Sequence, residues 1–80
     1  MQDEDALEMI REALCQVAPE RAQQFQKLTL DSEVKSLGID SILTLEMIGN
    51  LEDGLARTFE EHELAKVNKL SDLAALIRRE

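Results

Sequence analysis

Two alternating patterns constrain this chain most. In some stretches apolar residues recur every three or four positions, and between the first two such stretches lies an aperiodic segment too long to be a turn. Leu7, Ile10, Leu14 and Val17 fall at spacings of three, four and three, which places them on one face of a helix over residues 5 to 17. Thr44, Met47, Ile48, Leu51 and Leu55 repeat the pattern in a second helix over 41 to 56. Phe59 and residues 60 to 67 suggest a short third helix with Leu64 facing inward, and Leu73, Leu76 and Ile77 mark a last helix that Ser71 would cap. Residues 18 to 40 hold no sustained period and carry Pro19, Thr29, Asp31, Ser32, Ser36 and Gly38. They read as a long connection with a short helix over 19 to 27. A connection of that length in a small domain has to be anchored, and Leu28, Leu30, Val34 and Leu37 supply the anchors. The prediction is an all-α fold: a four-helix bundle with a long loop between helices 1 and 2, a short helix 3, and a single domain over residues 1 to 80.

Local signals support the boundaries. Asp3 or Asp5 can cap the first helix, acids suit the positive end of its dipole, and Pro19 disfavours a helical Ala18. Gly49 and Asn50 are poor helix formers in the middle of the second helix, the glycine costing about 1 kcal/mol relative to alanine, so packing must hold that element together. Arg78 and Arg79 complement the negative end of the last helix. Cys15, the single cysteine, lies beside the first stripe with no base or histidine near it in sequence, and reads as a small half-buried hydrophobe. Met9 and Met47 read as core filler.

Composition excludes several functions. Seventeen acidic against nine basic side chains give a formal charge of −8, which repels nucleic acid and anionic membranes alike. Phe25 and Phe59 are the only aromatic residues, leaving almost nothing on which bases or sugars could stack. A chain this short buries only about 60% of the surface its unfolded form exposes, too little for a deep catalytic pocket. His62 is the only histidine and has no cysteine or histidine companion at metal-ligand spacing, so no metal site is expected. It reads as a surface residue among the solvent-facing Glu60, Glu61 and Glu63. Asp31 and Glu33 resemble the start of a calcium loop, but the twelfth position from Asp31 is Ile42, where a bidentate glutamate is required. No run approaches 18 apolar residues and the acidic N-terminus is unlike a secretory signal, so a cytoplasmic protein without membrane insertion is expected. The initial methionine and the lack of a flanking linker suggest a free-standing protein.

One short segment carries chemistry. In Leu37-Gly38-Ile39-Asp40-Ser41-Ile42 the glycine frees the backbone, Asp40 can cap the second helix, and Ser41 stands at that helix's N-terminus. Unsatisfied amides and a partial positive charge there favour a phosphate on the serine oxygen. An Asp-Ser pair opening a helix is also an ordinary cap, and an unmodified helical interaction module is the competing reading.

Leu37-Gly38-x-Asp40-Ser41-Ile42 resembles the LGxDSL signature around the modified serine of acyl carrier proteins. Length, acidity, helix order and the motif's place at the start of the second helix match that family over essentially the whole chain. The resemblance implies that a phosphopantetheinyl transferase attaches 4′-phosphopantetheine from coenzyme A to Ser41, with Asp40 serving transferase recognition. It also implies that Ile42, Leu45, Glu46, Glu52 and Asp53 dock partners with basic patches, namely acyl-loading enzymes, ketosynthases and other acyl-transfer enzymes. The thiol of the arm would hold an acyl chain as a thioester, part of it sheltered by interior Leu, Ile and Val. The chain itself would be a monomeric carrier of fatty-acid, polyketide or related lipid biosynthesis and would catalyse nothing. An aminoacyl or peptidyl carrier of a nonribosomal or cell-wall pathway has the same fold and is the alternative, with acidity against it. The sequence departs from the pattern at Ser36 and Leu43, where acids are usual, at Gly49, where a larger apolar residue is usual, and at Glu60, where a proline is common. An apolar residue at 43 is more like polyketide or specialised carriers.

Overall fold

In the computed structural model, which describes residues 2 to 79, the first apolar stripe forms α1 (Asp3–Val17). Asp3, Glu4 and Asp5 occupy its first turn, where the dipole is positive. Gln2 stands at the cap position, and its backbone N–H donates to the Asp5 carboxylate at 3.0 Å. Asp5 therefore serves the cap from inside the first turn, which moves the start of the helix two residues ahead of the expected one. Pro19 ends α1 as expected: it heads a 3₁₀ turn (Pro19–Arg21) that runs into a single α-turn, α2 (Ala22–Phe25).

The second stripe forms α3 (Ser41–Leu55), the third helix is the single turn α4 (Glu61–Leu64), and the last is α5 (Leu70–Arg78). Both α3 and α5 pack on α1, which is the hub of the bundle. The core is built from Leu7, Ile10 and Leu14 of α1, Met47, Ile48 and Leu51 of α3, and Leu70, Leu73, Leu76 and Ile77 of α5. Phe25 and Leu37, from the crossover, close it. Each such side chain contributes about 1.5–3 kcal/mol by leaving water, and this offsets the poor helix propensity of Gly49 and Asn50. Met9, Cys15, Val17, Leu55 and Leu64 are partly buried against the same core. The helix expected over 60 to 67 is shorter because the chain after Leu64 tightens into i→i+3 turns. Lys66 N–H donates to the Glu63 carbonyl and Val67 N–H to that of Leu64, at 3.2 and 3.1 Å, which brings both Leu64 and Val67 onto the core.

The crossover is ordered by its own backbone, and it corrects the expected start of α5. Leu70 and Ser71, the first residues of that helix, donate their N–H groups to the carbonyls of Ser32 and Leu30, both at 2.9 Å. Val34 N–H donates to the Asn68 carbonyl at 2.8 Å, and Glu33 and Lys69 form an isolated antiparallel bridge. Ser71 is not the cap, because the crossover carbonyls meet the amides of Leu70 and Ser71, so the helix already starts at Leu70 and Leu73 N–H reaches the Lys69 carbonyl at 3.4 Å. The cap residue is Lys69, and the Asp72 carboxylate accepts from the N–H groups of Asn68 and Lys69, each at 3.0 Å.

The C-terminal end of α5 carries Arg78 in its last turn and Arg79 at its cap, as expected, and it has a further partner. Arg57, just past the left-handed Ala56 (φ 56°) that ends α3, donates to the Leu76 carbonyl at 2.6 Å and to the Ile77 carbonyl. Its guanidinium lies 5.6 Å from the Phe59 ring centroid. Arg78 and Arg79 also pair with acids, Asp3 and Glu63. The all-α bundle is thus present, with a short fourth helix and an extra turn in the crossover. The turn after α3 thereby caps the last carbonyls of α5, in addition to the charges that Arg78 and Arg79 bring to that end.

Candidate functional site

The segment that carries the motif is fixed residue by residue. Leu37 ends a 3₁₀ turn (Val34–Leu37) and is buried in the core. Gly38 follows in the left-handed region (φ 72°, ψ 22°), which favours glycine over any residue with a Cβ. Ile39 packs half-buried against the core. Asp40 is extended (φ −84°, ψ −178°) and caps α3: its Oδ1 accepts from Leu43 N–H at 2.8 Å. Its carbonyl accepts from Thr44 N–H at 3.0 Å and from the Thr44 hydroxyl at 2.8 Å.

Ser41 is therefore the first residue of a fifteen-residue helix, and it is exposed. Among the described residues its hydroxyl takes no hydrogen-bond partner. The amides at 41 and 42 precede the first intrahelical bond and lie at the positive end of the helix, so the surroundings suit an anionic phosphodiester on the serine oxygen. The cap occupies Asp40 Oδ1 and leaves the second carboxylate oxygen to the solvent side. These residues fit a phosphate-linked arm.

Four of the five expected docking residues lie on one outward face of α3. Ile42 and Leu45 are 67% and 68% exposed, large apolar side chains held in water. Glu46 and Asp53 are exposed beside them, at helical spacings of four and eleven from Ile42. Glu52 differs. It lies two turns beyond Leu45 on the same side of the helix, but it is half-buried and its carboxylate accepts from Phe59 N–H at 2.8 Å. The geometry assigns it to the turn after α3. Between α3, α4, α5 and the crossover lies an apolar cleft of about 140 Å³, lined by Val34, Leu45, Ile48, Leu64, Val67 and Leu73 among others.

His62 is exposed, with Nδ1 3.3 Å from the Glu60 carboxylate. Glu60, His62 and Glu63 bring ligand-type atoms within 4.8 Å of one another, but Glu63 is already engaged by Arg79. That cation opposes a second one.

The residue that sequence reasoning missed is Arg21. Its Nη1 donates to the Gly38 carbonyl at 2.6 Å from across the crossover. No period or motif joins positions 17 apart in an irregular segment, so no sequence signal pointed to the contact.

The chain matches the model of a family described as a phosphopantetheine attachment site over residues 8–77. It is similar to an acyl carrier protein homolog of Ureaplasma parvum, 31% identical over 64 residues that cover 80% of this chain and 83% of the relative. No solved structure matches it significantly.

Proposed function

The chain belongs to the phosphopantetheine attachment family, and from that premise we propose that it is an acyl carrier protein with Ser41 as its attachment residue. The family's prosthetic group is 4′-phosphopantetheine, which when bound supplies a terminal thiol able to hold a carboxylic acid as a thioester. The observation that carries the assignment to Ser41 is its exposure as the first residue of α3, next to the capping Asp40 and within the matched span. Asp40 has two duties: one carboxylate oxygen holds the helix start, and the other faces an approaching transferase. Ile42, Leu45, Glu46 and Asp53 form a face on which an enzyme with an apolar patch ringed by basic residues can seat. The cleft beside Leu45 and Ile48 offers apolar lining for part of a cargo. An acyl cargo of fatty-acid, polyketide or related lipid synthesis fits this lining better than a charged aminoacyl group, and the name of the Ureaplasma relative supports the same reading. In this reading the protein performs no chemistry of its own and is the substrate of the transferase and of the acyl-handling enzymes.

The test is intact mass after incubation with coenzyme A, Mg²⁺ and a promiscuous phosphopantetheinyl transferase. A gain of one phosphopantetheine is expected, and none in Ser41→Ala. That variant should remain folded, losing about 1 kcal/mol or less, because Asp40 still caps α3. No gain in the unaltered protein, or a gain that persists in Ser41→Ala, overturns the assignment.

A further inference from the structure

We infer that Arg21 is a positioning residue for the modification of Ser41, acting through the Gly38 carbonyl; this rests on the reading of Ser41 as the attachment residue. Residues 38 to 40 are irregular backbone between two fixed points, buried Leu37 and the capped start of α3. The direction in which the chain enters α3 is set at Gly38. Among the described residues, the hydrogen bond that ties this segment to a distant part of the chain is the one from Arg21 Nη1, at 2.6 Å. A bond from a charged donor is roughly twice as strong as a neutral one.

The guanidinium is itself held. Arg21 closes the 3₁₀ turn headed by Pro19, lies 5.9 Å from the ring centroid of fully buried Phe25, and reaches Gln24 Oε1 from Nε at 3.4 Å. The fit is close enough that a Cβ built on Gly38 would stand 2.5 Å from Arg21 Nη2. The left-handed φ favours glycine here, and any side chain at this position would also push the end of Arg21 away. Together Arg21 and Gly38 form a latch that passes the rigidity of the Phe25 anchor to the serine.

Without the latch the Gly38 peptide is free to rotate, and Ser41 is presented in the productive direction only part of the time. Apparent affinity for the transferase then falls by the fraction that remains competent, while the bound complex reacts as before. The expected signature is a rise in KM with kcat preserved.

The experiment measures transferase kinetics on the full chain by intact mass, with folding checked by far-UV circular dichroism. Arg21→Met, which keeps the stem and removes charge and donors, should raise KM about tenfold with kcat within about twofold. Arg21→Lys, which keeps a charged donor, should recover KM to within about threefold of the unaltered protein. Arg11→Met is the control: Arg11 makes the same kind of bond, Nη2 to the Leu28 carbonyl at 2.5 Å, in a part of the crossover away from the motif. It should leave KM unchanged. If Arg21→Met loses helical signal, Arg21→Gln reads the same contact and should raise KM at least about threefold. An unchanged KM in the folded Arg21 variant, or an equal rise in Arg11→Met, overturns the positioning role while leaving Ser41 as the attachment residue. An unaltered protein that accepts no arm overturns both.

Discussion

Asp72 holds the start of α5 by sharing its carboxylate between two backbone amides, and this leaves a mark on its acidity. Hydrogen bonds from Lys69 N–H and then Asn68 N–H favour the ionised form, so its pKa lies below the ordinary 3.8. The unfolded chain binds that proton more readily than the folded one. The stabilisation is therefore complete above pH 3.8 and is lost as pH falls through the lower folded value. In acid unfolding followed by circular dichroism, Asp72→Asn should be less stable than the parent at neutral pH, and the gap should narrow below pH 3.8. A gap independent of pH would contradict this. At this scale the sequence was a partial guide. Asp40 was legible as a cap because its place before an apolar run is a local signal, and the side chain does cap α3. Ser71 looked equally suited and is not a cap, since carbonyls some forty positions earlier take the amides of Leu70 and Ser71 and let the helix start before it, which no local rule can see.

Among the elements, α3 is the one whose sequence conflicts most with its conformation. Gly49 lies in its middle, and a Cβ placed there meets nothing within 4 Å. Its backbone is helical, so nothing in the packing calls for glycine. Gly49→Ala should therefore stabilise the protein by about 0.5–1 kcal/mol, the helix-propensity difference, as read from urea or thermal unfolding. A loss of stability would mean that the outer face of α3 has a constraint absent from this conformation. The three long helices were legible because each displays an apolar stripe to the core, and periodicity reports just that. The crossover was legible only as a need for anchors. Leu37 is buried as expected and Leu28, Leu30 and Val34 are partly so, but the 3₁₀ turn over Val34–Leu37 and the strap onto α5 are made by backbone groups that every residue type possesses. Arg57 counted in the sequence only as one positive charge. Its role at the end of α5 depends on the left-handed Ala56, which turns it toward the carbonyls of Leu76 and Ile77.

Over the whole molecule the charge is unevenly placed. Of the net −8, residues 40 to 63 hold −6, and Glu46 and Asp53 face outward around the exposed Ile42 and Leu45. On the proposed reading such a field would steer basic partners from a distance, and salt would weaken it as the screening length falls from about 10 Å at 0.1 M to about 3 Å at 1 M. Raising salt over that range should slow acyl or arm transfer roughly several-fold, with little change in the thermal midpoint. Glu46→Lys and Asp53→Lys together should reproduce the slowing at low salt. Rates insensitive to both changes would rule out steering. Glu52 is left out of that pair because its carboxylate holds Phe59 N–H, and reversing it would unsettle the turn that positions Arg57.

The strap between the crossover and α5 also bears on how the molecule comes apart. The first amides of α5 depend on the carbonyls of Leu30 and Ser32, and the carbonyl of Asn68 depends on Val34. When either side leaves, the other loses three backbone hydrogen bonds. Two segments far apart in the chain are therefore coupled, so that opening of one weakens the hold on the other. The stretch that leads into Ser41 is thus moored at its start to the first turn of the last helix.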